Sequence, residues 1–243
     1  MSEIKTYQYN ETPIVQRQSG ITSQNFLPNV FLWMFVALGL SAAFAYLFTV
    51  DQTMVAYLIN PDGSRNLLGT AAMFAPLAFV LIMSFGMNKL SFPVLALLFV
   101  LYAAVTGISF TFILATYASS SVLGCFISAS ALFAVMAIAG YTTNQDLTKF
   151  GSILTMFLIG IVIASVVNMF LGSSQLDYII SFIGVAVFIG LTAYDVQRLK
   201  RIGEGIEYGD ASANKMVIMG ALTLYLDFIN LFLMLLRVFG SRK

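Results

Sequence analysis

Gly220–Leu236 reads GALTLYLDFINLFLMLL and places one carboxylate, Asp227, deep inside an apolar run. An aspartate at the centre of a membrane helix costs roughly 2.5–3.5 kcal/mol, so it is protonated, paired, or facing water. In a helix, Gly220, Thr223, Asp227, Asn230 and Arg237 fall on one stripe, and the remaining faces are Leu, Phe, Ile and Val. A helix that tolerates lipid on most sides and carries one polar stripe belongs inside a bundle or against a cavity.

Composition points the same way. The chain has 243 residues, of which 59% are hydrophobic and 9% charged, and its mean hydropathy is +0.90. Soluble domains carry about 25% charged residues, so this is an integral membrane protein. The apolar runs are continuous rather than alternating, which favours helices over a barrel. A net charge of +1 makes no electrostatic case for a nucleic-acid partner. Histidine is absent, which excludes His-ligated zinc, Ser-His-Asp chemistry and an imidazole switch. Proton sensing near neutrality therefore falls to carboxylates. The single cysteine, Cys125, sits in an apolar run as a small buried hydrophobe and leaves no intrachain disulfide. No cofactor is implied.

Seven runs are long enough to span: about 28–50, 67–87, 93–117, 122–141, 150–171, 176–197 and 216–239. The expected organisation is a polar tail over 1–27 without a signal-peptide apolar core, a seven-helix domain over 28–239, and a short tail over 240–243. Asn60-Pro61-Asp62-Gly63 marks a turn in the loop at 51–66. Trp33 is expected at the membrane interface, and Asn168 in a hydrogen bond between helices. The small residues at 103–109 are expected to let backbones approach closely. The one strongly charged loop is Arg198–Lys215, which includes Glu207 and Asp210.

Counting basic residues orients the chain. Lys5, Arg17, Lys89, Lys149, Arg198, Lys200, Arg201 and Lys215 share one side; Arg65, Arg237, Arg242 and Lys243 share the other. The N-terminus is expected in the cytoplasm. The three basic residues at the C-terminus pull the other way, and a seventh segment that re-enters rather than crosses would reconcile them.

Two carboxylates lie within spans away from their ends, Asp195 in LTAYDVQ and Asp227 in LYLDFIN. Measured from Lys200 and Lys215, they sit about 8 Å and 18 Å deep. The ~10 Å difference leaves two readings open. Either the aspartates meet and share a proton, since two close carboxylates cannot both ionise cheaply, or each is buried separately, bonded to backbone or to Thr223 and Asn230. A pair would tie two helices together when protonated. Deprotonated, it would repel, open a path and offer hard oxygen ligands suited to Ca²⁺.

With GALTLYLDFINLF at 220–232, Leu235-Leu236-Arg237, LTAYDVQ at 191–197, and Gly140-Tyr141-Thr142-Thr143 before Asp146-Leu147, the chain resembles the Bax inhibitor-1 family in its bacterial form. The likeness extends over all seven spans. It implies a seven-helix fold with the last helix surrounded by the other six, in a bacterial inner membrane. It also implies a pH-sensitive Ca²⁺ leak controlled by an aspartate pair, which lands on Asp195 and Asp227, with Thr223 and Asn230 as supporting polar residues. Bacterial members can carry an arginine at the inner end of the second helix that latches onto the pair. The matching position here is Asn88, which cannot form that salt bridge; the adjacent Lys89 lacks the planar fork of arginine.

Other functions meet obstacles. An intramembrane aspartyl protease would need Gly-x-Gly-Asp where Leu224-Tyr225-Leu226-Asp227 stands, and a Pro-Ala-Leu signature, yet no proline follows Pro93. No enzyme activity is expected. A retinal-type receptor would need a lysine in the seventh span, which has none. An H⁺-coupled Ca²⁺ exchanger would use the same pair. A protein that binds and regulates a membrane partner, such as a membrane protease, also fits. The expected partners are the lipid bilayer, Ca²⁺, H⁺ and such a membrane protein.

Overall fold

The computed structural model describes residues 23–60, 62–206 and 212–243. Pro61, Glu207, Asp210 and residues 1–22 of the polar tail lie outside the described residues. Seven long apolar helices form the body: α1 (Ser23–Val50), α3 (Leu67–Gly86), α4 (Phe92–Thr116), α5 (Ser119–Thr142), α6 (Thr148–Leu171), α7 (Ser174–Glu204) and α8 (Ala213–Phe239). A five-residue helix, α2 (Gln52–Ala56), sits in the loop after α1, started by Asp51, which accepts from the Thr53 N–H.

The seven long helices are each long and apolar enough to cross a bilayer. The last is central. In its most apolar 18-residue stretch 67% of residues are buried, against 17% in α6 and 11% in α3. α8 packs on α7, α1, α5 and α4; α3 backs α4, and α6 backs α7. Lipid-facing surface is correspondingly apolar, with Phe35, Leu67, Phe85, Phe157 and Phe170 all exposed. In hydrocarbon such residues cost nothing, and close packing rather than water exclusion holds the helices together.

That packing rests on small residues. At Gly107 of α4 a Cβ would run into the Ser41 backbone of α1. There Ser41 Oγ lies 2.7 Å from the Ala103 carbonyl oxygen and 2.7 Å from the Tyr225 hydroxyl, linking α1, α4 and α8 in the core. The stretch at 103–109 is therefore a packing seam, as its composition predicts. Gly140 of α5 makes the same kind of contact with the Ala193 backbone of α7.

Several elements differ from the sequence expectation, each for a physical reason. α1 starts at Ser23 rather than Pro28, because Phe26 is fully buried against Gly203 and draws one more turn into the fold. That places Trp33 further from the helix start, 6.5 Å from the Phe99 ring of α4. Asn168 accepts from the Ser173 N–H at 3.1 Å, closing its own helix end instead of bridging helices. α7 continues through the basic run to Glu204, so the first part of the charged loop is helix.

The re-entrant seventh segment is also corrected. α8 is an unbroken 27-residue helix, and Arg237 near its end meets Asp177 in the first turn of α7 at 3.5 Å. It crosses fully. The C-terminal basic residues have local partners: Lys243 Nζ donates to the Leu114 carbonyl (3.1 Å), its N–H donates to the Thr116 carbonyl (3.0 Å), and Arg242 lies over the Tyr117 ring. A lysine on the last carbonyls of α4 satisfies orphan acceptors and complements the helix dipole.

Candidate functional site: a buried carboxyl pair

α7 is a well-started helix. Ser173 accepts from the Leu176 N–H, Asp177 sits in the first turn and Arg201 in the last, each matching the helix dipole. α8 runs antiparallel to it. A Cβ at Gly220 would meet Leu199, one at Gly184 would meet Met234, and Arg237 pairs with Asp177. These contacts set a register in which Asp227 faces the α7 turn Leu191–Asp195. The apparent mismatch in depth arose from taking Lys200 as a helix end, whereas it lies one turn inside α7.

Asp195 and Asp227 consequently meet. Their carboxyl groups lie against each other, and they are 7% and 5% exposed. Two carboxyl groups can share a hydrogen bond only when one of them carries a proton to donate. Asp227 Oδ2 is buried and accepts from no N–H or hydroxyl among the described residues. The cation nearest the pair is Arg198, whose Nη1 lies 3.8 Å from Asp195 Oδ1 while most of its side chain is exposed. Among the described residues no group of three or more His, Cys, Asp or Glu gathers to hold a metal.

The surroundings of Asp195 are fixed from two sides. Gln197 Nε2 donates to the Gln145 carbonyl (2.7 Å), and its Oε1 accepts from the Leu147 N–H (2.9 Å), tying the α5–α6 connection to α7. Arg201 donates to Asp146 Oδ1 at 2.7 Å. A hydrogen bond from the Thr148 hydroxyl, then the one from Arg201, and the Thr148 N–H hold the Asp146 carboxyl down to about 2. Beside this clamp is a polar cavity of about 320 Å³ lined by Thr148, Tyr194, Gln197, Arg198, Arg201 and Ile202. Neither aspartate lines it.

The other sequence-nominated residues are elsewhere. Thr223 turns its hydroxyl to the Met219 carbonyl of its own helix at 3.1 Å. Asn230 makes no hydrogen bond to either carboxyl among the described residues. Asn88 and Lys89 are exposed in the turn after α3, with no ion pair to either carboxyl among the described residues. Among the described residues, the cation that reaches the pair comes from α7 itself, Arg198. Its signal was the Asp195–Arg198 spacing of three, which is invisible if α7 is taken to stop at Gln197.

A family model described as "Inhibitor of apoptosis-promoting Bax1" matches residues 23–243. The chain belongs to the Bax inhibitor-1 family. Among family relatives, "Inner membrane protein YbhL" of Escherichia coli (strain K12) is 44% identical over 237 residues, covering 95% of this chain and 96% of that one. A protein of Borreliella burgdorferi is 40% identical over 228 residues (94% and 97% covered), and one of Rickettsia prowazekii is 39% identical over 220 residues (90% and 91%). The family match thus spans all seven crossing helices and both halves of the carboxyl pair.

Proposed function

We propose that this member of the family is a pH-sensitive Ca²⁺-permeable leak of a bacterial inner membrane, gated by Asp195 and Asp227. The observation that carries the reading is the juxtaposition of two buried carboxyls on the two most buried helices. With one shared proton the pair ties α7 to α8 and the path is closed. Loss of that proton leaves two negative charges in contact, which repel strongly in a low-dielectric interior. The helices part at that level, and carboxylate oxygens line the gap.

Ca²⁺ is cargo in this account. It takes six to eight oxygen ligands, and two carboxylates supply at most four, so Asp195 and Asp227 hold the ion transiently and let it go. Arg198 sits on the same side as the polar cavity and favours the ionised state of the pair. The location follows the printed name of the Escherichia coli relative, and the excess of basic residues on one side supports a cytoplasmic N-terminus.

Proteoliposomes loaded with a Ca²⁺ indicator test the reading. Influx is measured with the pH equal on both sides, stepped between about 5 and 8. A leak varies with that pH and needs no proton gradient. Influx that appears only when a gradient is imposed assigns the pair to an H⁺-coupled exchanger, and no influx under either condition rejects transport.

A further inference from the structure

α1 and α5 both pack on α7 and α8 and leave a gap between them on the lipid-facing side. The gap is an apolar trough of about 570 Å³, walled by residues such as Leu38, Gly39 and Ala42 of α1 and Ala134 of α5, with the buried Phe228 of α8 forming its floor. A second cavity, of about 440 Å³, lies at the α7 C-terminal end and includes Tyr141, Lys200 and Glu204. Phe31 lines both, so they adjoin. From Phe31 to Ala42 the trough runs about 16 Å along α1, close to half of the ~30 Å hydrocarbon core and therefore to one leaflet.

Charge at the upper end narrows the occupant. Lys200 and Glu204 lie one turn apart on α7, yet they form no ion pair with each other. Lys200 Nζ donates to the Tyr141 carbonyl at 3.0 Å and stands 4.8 Å over its ring. Glu204 is exposed and has no ion-pair partner among the described residues. Lysine preceding glutamate at this spacing is the weaker orientation for a helical pair, so both charges remain available. A cation and an anion side by side above an apolar trough match a headgroup that carries a phosphate and an ammonium.

We propose that this face binds one zwitterionic phospholipid of the leaflet at the α7 C-terminal end. The phosphate meets Lys200, the ammonium meets Glu204, and one acyl chain lies in the trough against Phe228. The chain then touches the central helix at the residue next to Asp227.

Native mass spectrometry of delipidated protein titrated separately with phosphatidylethanolamine, phosphatidylglycerol and diacylglycerol tests this. Phosphatidylethanolamine is expected to be retained at one per chain, about tenfold tighter than the other two. Lys200→Gln with Glu204→Gln removes that preference. At Gly39 a Cβ meets no atom within 4 Å, so Gly39→Leu projects a side chain into the trough and abolishes retention. Equal retention of phosphatidylglycerol, unchanged retention in either variant, or a dimer mass that Gly39→Leu abolishes in place of a lipid adduct overturns the proposal. If Gly39→Leu does not fold, the headgroup variant decides alone.

Discussion

Arg198 stands one turn beyond Asp195 on α7, with Nη1 3.8 Å from the aspartate Oδ1, and its side chain is 60% exposed. The cation nearest the buried pair thus comes from one of the pair's own helices and faces solvent.

Arg198→Gln should therefore carry less Ca²⁺ at each pH, because the charge that helps the pair ionise is gone. Solvent screening limits the effect to about two- to fivefold, and Arg198→Lys should recover most of it. Flux at low and high salt checks this: the gap between parent and Arg198→Gln should shrink as salt rises. Equal flux in the two proteins removes Arg198 from the account.

Gly140 and Gly124 lie on the same helix and make opposite predictions. A Cβ at Gly140 would strike the Ala193 backbone, whereas one at Gly124 meets nothing within 4 Å. Gly140→Ala should destabilise by about 1–3 kcal/mol and Gly124→Ala should be neutral. Thermal unfolding in detergent, monitored by circular dichroism, distinguishes them.

Asp146 lies outside the spans, and its pKa is held at about 2, below its ordinary 3.8, first by the Thr148 hydroxyl and then by Arg201. A depressed carboxylate adds stability that is fully present above 3.8 and is lost as pH falls through about 2. Asp146→Asn should speed hydrogen exchange in the first turn of α6 at neutral pH. The difference from the parent should close as pH falls through that window; a difference that persists below it contradicts the assignment.

The fold was legible because membrane spans are written in long apolar runs, and the central helix was legible from the stripe around Asp227. Helix ends were harder. Phe26 and the run Arg198–Glu204 look polar or terminal in sequence, and only packing on Gly203 and continuation of α7 make them helical. That error at the α7 end separated Asp195 from Asp227 in depth and hid Arg198. Thr223 and Asn230 share a stripe with Asp227, yet a helix side chain can satisfy itself on its own backbone, as Thr223 does on Met219. The local use of the C-terminal lysine and arginine, closing the end of α4, leaves no trace in charge counting.

The central claim, that Asp195 and Asp227 act as one proton-sharing unit, is tested most directly by Ca²⁺ influx against pH for Asp195→Asn, Asp227→Asn and the double variant in proteoliposomes. A coupled pair predicts that each single variant removes the pH dependence and that the double variant adds nothing further. Full pH dependence in either folded single variant, or additive losses in the double, would show that the two carboxyls work apart and contradict the gate.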